Sequence, residues 1–128
     1  MADFILTEED KEFLTSNFPS QWDGCSEDDK KGIIIRDYRL PADIYTPDKA
    51  DLMLIIPDDY PLAELDMFYF CPELSRKDGR AINAIAQETH FGREWQRWSR
   101  HYEWHPGAHS IVSHVSYVWN QLEHDSPA

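Results

Sequence analysis

The chain has little sulfur, little positive charge and no long apolar run, and each shortage excludes a class of protein. Two cysteines, Cys25 and Cys71, stand in 128 residues. That is too few for a disulfide framework, and their spacing is not that of a paired metal-binding motif. Thiols used so sparingly point to a reducing compartment, so a cytoplasmic location is expected. Lysine and arginine number 12 against 24 aspartates and glutamates, a formal net charge of −12. Phosphate backbones repel such a surface and no basic cluster compensates, so nucleic acid is not an expected partner. No apolar stretch approaches the roughly 18 residues of a membrane-spanning helix, so no membrane is expected either. The opening MADFILTEED lacks the basic and apolar regions of a secretory signal. No HExxH motif is present, and no cofactor or metal is expected.

What is present is enough apolar and aromatic material, 41% and 13%, for one packed domain over residues 1–128 with its core at about 32–122. Thr7 followed by Glu8, Glu9 and Asp10 reads as a helix start, because acids in a first turn complement the helix dipole. Phe13 and Leu14 give that helix an apolar side, and Pro19 stops it. Residues 23–30, with Gly24 and four acids, read as a loop. Three β-branched residues in a row, Ile33 to Ile35, then mark a strand over residues 32–38. Residues 50–56 and 66–70 are two more strands, separated by the rigid turn Pro57-Asp58-Asp59-Tyr60-Pro61. No crossover helix fits between these strands, so an antiparallel meander is expected. Residues 81–87 read as one or two helical turns and 90–93 as a loop. Ser110 caps a closing helix, with Ile111, Val112, Val115, Val118, Trp119 and Leu122 along one face. The fold class is α+β, an antiparallel meander sheet flanked by an N-terminal and a C-terminal helix.

The segment WQRWSRHYEWHPG, residues 95–107, concentrates expensive side chains. Trp95, Trp98 and Trp104 each bury a large area and need an indole N–H partner, while Arg97, Arg100, His101 and His105 cannot enter a core unpaired. The segment is either the polar-aromatic wall of a binding site or a hydrogen-bonded structural corner. On an extended chain Arg97 and Arg100 are expected to point away from Trp98. His101 and His105 are four apart, as zinc ligands on a helix are, but Trp104 and Pro106 make a helix there implausible. His101 alone suits proton transfer near neutral pH or serves as a corner residue. Cys71 is the candidate nucleophile, given a cation beside it; the plainer reading is a small apolar side chain at a strand end. Cys25, among acids, is expected to hold its proton.

Several of these stretches together resemble one family. GIIIRDYRLP and ADLMLIIP, the Tyr60-Pro61 turn, DMFYF running into a proline, and WQRWSRH followed by WHPG resemble the ubiquitin-conjugating enzyme superfamily, in its prokaryotic branch called family E. The likeness covers roughly residues 32–122. It implies a ubiquitin-conjugating-enzyme-like fold that works beside an activating enzyme and a ubiquitin-like protein in a bacterial conjugation operon. Where that superfamily places its cysteine, this chain has Ala81-Ile82-Asn83-Ala84. Two readings follow: a thioester carrier acting through Cys71, with His101 and Asn83 as helpers, or a catalytically silent binding module of the same fold.

Overall fold

Helix α1, Glu8–Asn17, begins where the sequence places it, with the Thr7 hydroxyl accepting from the Asp10 N–H at 3.0 Å. The structure, a computed structural model, describes residues 6–28, 30–65 and 67–125. After α1 come β1 (Trp22–Glu27), β2 (Lys30–Arg39), β3 (Tyr45–Thr46), β4 (Lys49–Ile55), β5 (Phe68–Cys71), β6 (Ser75–Arg76), β7 (Ile85–His90) and β8 (Arg93–Trp98), and the chain closes with α2 (Ile111–His124). Six strands form one sheet in the order β1-β2-β4-β5-β8-β7, with every neighbouring pair antiparallel. The expected meander is its centre, β2-β4-β5. Asp66, the first residue of the third expected strand, lies outside the described residues.

Two expectations are corrected. Residues 23–30 are not a loop but mostly strand β1, and residues 81–87 are not helical but lead into strand β7. Both are edge strands with a partner on one side only, so polar side chains on their open side cost little and the apolar alternation that marks an inner strand is lost. The tryptophan-rich segment starts as strand β8, inside the sheet.

Alternation along the inner strands creates two apolar faces. One carries Ile33, Ile35, Leu52, Leu54, Phe68, Phe70 and Trp98 and packs with Leu14 of α1 and with Ile111, Val115, Val118 and Leu122 of α2 in the main core. Helix α2 is capped as expected: Ser110 Oγ accepts from the Val112 N–H, and the Ser110 N–H donates to Ser113 Oγ at 2.9 Å. Its stripe differs at one end. His114 is fully buried, whereas Trp119 is 38% exposed. Burial of His114 is tolerable because both ring nitrogens are satisfied, Nε2 donating to the Met67 carbonyl and Nδ1 accepting from the Tyr102 hydroxyl.

The opposite, outer face carries a smaller cluster, Met53, Tyr69 and Trp95 with Ile34, Ile55, Met67, Cys71 and Phe91 around them. Strand β8 pairs with β5 only over Gln96 to Trp98, so the far half of the β7–β8 hairpin is free to bend across this face. Its tip reaches the β1–β2 turn, at the other edge of the sheet: the Phe91 N–H donates to Glu27 Oε1 at 3.1 Å, and the Phe91 ring lies over Gly32. A Cβ at Gly32 would stand 3.0 Å from that ring and 2.8 Å from the Leu54 carbonyl oxygen, so only glycine admits this close approach.

Candidate active site

Under the bent hairpin the outer face gathers ionisable side chains that are distant in sequence. Cys71 ends β5 opposite Asp51 of β4, half-buried and turned away from the main core. Arg93 lies beside its thiol, donates to Asp51 Oδ2 at 2.9 Å and stacks over Trp95 with 4.6 Å to the ring centre. Burial opposes the guanidinium charge, but the interactions with Cys71 and Asp51 outweigh it and raise the Arg93 pKa. The thiol thus has a fixed cation for a neighbour, and that cation is shared with a carboxylate.

Further along the same face Lys30 Nζ meets His90 Nδ1 at 2.8 Å, and His90 Nε2 meets Glu88 Oε1 at 2.8 Å. Glu88 also pairs with Arg97 and accepts from the Tyr69 hydroxyl at 3.5 Å. Burial works to raise the Glu88 carboxyl, yet the His90 bond and the Arg97 charge outweigh it and hold Glu88 below its ordinary pKa. An ammonium can only donate, so the charged Lys30 fixes His90 Nδ1 as acceptor and leaves the proton on Nε2, facing Glu88. Lys30, Asp51, Glu88, His90 and Arg93 did not stand out in the sequence. One local signal was there: Glu88 and His90 are two apart, so on a strand both project from one side.

The other sequence candidates are spread through the fold. Asn83 is exposed in the connection between β6 and β7, and His101 is exposed beyond the end of β8. In the β5–β8 pair Phe70 faces Gln96 and Phe68 faces Trp98, so Cys71 extends one end of that pair and His101 the other. At ~3.3 Å per strand residue they stand on the order of 10 Å or more apart. Neither helper is brought to the thiol. Trp95 is fully buried in the outer cluster, its indole donating to the His90 carbonyl at 2.9 Å; Trp98 is fully buried in the main core. Arg97 points to the outer face as expected. Arg100 does not point away from Trp98 but stacks over it at 4.9 Å and pairs with Asp125 at 2.8 Å, because residues two apart return to one side of an extended chain. Trp104 packs on Tyr60 and donates to the Pro61 carbonyl at 3.0 Å, and His105 is exposed beside His109. The segment 95–107 therefore threads both faces and forms no single wall.

Against this geometry stands one comparison that decides the family: the model of prokaryotic E2 family E matches residues 6–125. The chain belongs to prokaryotic E2 family E. Helices at both ends of the chain flank its mostly antiparallel sheet, an E2-like arrangement. Neither the curated proteins nor the solved structures compared with it give a match. Among the described residues of this E2-like chain, no group of three or more His, Cys, Asp and Glu side chains is placed to hold a metal ion, and no helix is long and apolar enough to cross a membrane.

The second thiol of the family E chain contrasts with the first. Cys25 sits in β1 with its Sγ donating to the Gly32 carbonyl, and burial, followed by the Asp23 charge, pushes its pKa up to about 11. Since the thiolate is the reactive form, alkylation of Cys25 by iodoacetamide is expected to be slow at about pH 8 and to rise as pH approaches about 11. Peptide mapping of a Cys71→Ala variant across that range checks this; fast labelling of Cys25 at about pH 8 contradicts it.

Proposed function

We propose that this family E chain carries a ubiquitin-like protein as a thioester on Cys71, receiving it from an activating enzyme. The supporting observation is the half-buried thiol on the outer face with the Arg93 guanidinium fixed beside it. A cation favours the thiolate, the form that attacks an activated carboxyl. In that step the C-terminal acyl carbon bonds to Sγ, the adenylate departs as AMP, and the thiol proton goes to solvent.

A second reading is favoured by a separate observation. Asp51 already pairs with Arg93, and Asn83 and His101 stand away from the thiol. A chain that only binds the ubiquitin-like protein or the activating enzyme needs none of these groups assembled. The two readings part in one experiment. Wild type and Cys71→Ala are incubated with the activating enzyme and ubiquitin-like protein of the same operon and run on a non-reducing gel. A reducible adduct that vanishes in Cys71→Ala is expected from a carrier. Co-elution without any adduct identifies the binding module and rejects the carrier.

A further inference from the structure

Lys30, His90 and Glu88 form a chain of hydrogen bonds with the order of a nucleophile, its base and the group that orients the base. We propose that Lys30 is an acyl acceptor, its amine activated by His90 and Glu88, and that it takes the acyl group of a thioester in amide linkage. Lysine amines are ordinarily protonated and inert at neutral pH, with a pKa of about 10.4. What an acceptor lysine needs is a base already in contact. His90 Nδ1 stands 2.8 Å from Lys30 Nζ, within the reach required for direct proton transfer.

The proton can move without breaking the chain of bonds. With the lysine charged, Nζ donates to Nδ1. After transfer, Nδ1–H donates back to the neutral Nζ, and the imidazolium keeps its second proton on Nε2, facing the Glu88 carboxylate at 2.8 Å. Glu88 thus holds the ring in the needed orientation and balances its charge, the role the carboxylate has in a Ser-His-Asp triad. Arg97 fixes Glu88 by its other oxygen, Oε2, while the Tyr69 hydroxyl donates to the same Oε1 that faces His90, at 3.5 Å. Glu27 lies 3.7 Å from Nζ, and the Phe91 ring 5.7 Å from it, so the amine is held on several sides.

The amine is also reachable. The Lys30 side chain is 33% exposed, whereas that of His90 is 13% exposed. A cleft of about 440 Å³ opens beside Lys30, bordered by Glu27, Ile55 and Pro57. Ile55 and Pro57 also border a smaller hollow of about 180 Å³ that runs on to Met67 and Tyr69. Two neighbouring hollows that share Ile55 and Pro57 leave room for an acyl or peptide tail beside the amine.

The chemistry balances. One ammonium proton passes to His90 Nδ1 and on to solvent. The freed lone pair forms a C–N bond to the acyl carbon, the C–S bond breaks, and the leaving thiolate takes the second proton. Thioester and lysine ammonium become amide, thiol and one released proton. The thioester of the proposed carrier function is the natural donor; the identity of that donor alone rests on the preceding reading.

A small donor tests the site without any partner protein. The full chain is incubated with S-acetyl-N-acetylcysteamine at about pH 7.5, and acetylation at Lys11, Lys30, Lys31, Lys49 and Lys77 is followed by peptide mass spectrometry. Lys30 is expected to react about tenfold or more faster than the exposed Lys49 and Lys77, a modest share of what general base catalysis supplies. His90→Asn places an amide oxygen near the site of Nδ1, so it can hold Lys30 but cannot take its proton. It is expected to lower the Lys30 rate to that of Lys49 and leave the Lys49 rate unchanged, with an unchanged circular dichroism spectrum showing that the variant is folded. Glu88→Gln is expected to lower the Lys30 rate as well. Equal rates at Lys30 and Lys49 in the wild type overturn the proposal, as does a fast Lys30 indifferent to His90→Asn. Selective acetylation of Lys30 with no Cys71 adduct in the gel experiment leaves this inference standing and rejects the carrier function alone.

Discussion

Trp98→Ala is expected to lower folding stability by about 3–5 kcal/mol, the range for truncating a large buried aromatic. Trp98 is fully buried where the sheet meets the helices, with ring centres of Phe68, Tyr45 and Phe70 at 5.5, 5.8 and 5.9 Å. Its removal also takes one contact from each of two polar neighbours. The indole N–H donates to Gln96 Oε1 at 2.9 Å, and the same Gln96 amide binds both the N–H and the carbonyl of Leu74. Arg100 loses the ring it stacks on, although its pairing with Asp125 remains. Urea denaturation followed by circular dichroism measures the loss. A decrease under about 1 kcal/mol would mean that this site is no packed centre, because cavities left by aromatic side chains cost several times more.

Tyr60→Phe removes one oxygen and is expected to cost about 3 kcal/mol, far more than a typical surface hydrogen bond. The Tyr60 hydroxyl donates to Asp10 Oδ2 at 2.5 Å and accepts from the Ile111 N–H at 2.8 Å, so it joins α1 to the first turn of α2. Asp10 is fully buried, and its Oδ1 has no partner among the described residues. Burial, and then the bond to Asp10, raise the Tyr60 pKa, which keeps the phenol protonated as a donor. Without the hydroxyl a buried carboxylate and a helix N–H lose their partner together, and each stranded group carries its own desolvation cost. Asp10→Asn in the same background removes the charge and is expected to recover part of the loss. A double-mutant cycle by urea denaturation reads this coupling, and additive losses would show that the two groups do not act as a pair.

Much of this architecture was legible in residue order because it depends on local rules. Thr7 and Ser110 cap helices where caps are expected, and Ile111, Val115, Val118 and Leu122 bury the face that their spacing defines. The β-branched run Ile33 to Ile35 forms part of an inner strand. Such signals are read within a few residues, since helix and strand periods decide which side chains share a face. The edge strands β1 and β7 were not legible, since one open side lets their composition resemble that of loops. The candidate site was legible only in part: Cys71 as a thiol at a strand end, and the family from its scattered motifs.

Which faces meet was decided by the tertiary structure. Lys30 and His90 are 60 residues apart and touch because the β7–β8 hairpin outruns β5 and bends over the sheet toward Gly32. The same register sends Cys71 and His101 to opposite ends of one strand pair and divides Trp95 and Trp98 between two clusters. Local periodicity tells a side chain which way to point. The partner it meets there is set by strand register and by the bend of a hairpin, which arise only when distant segments pack together.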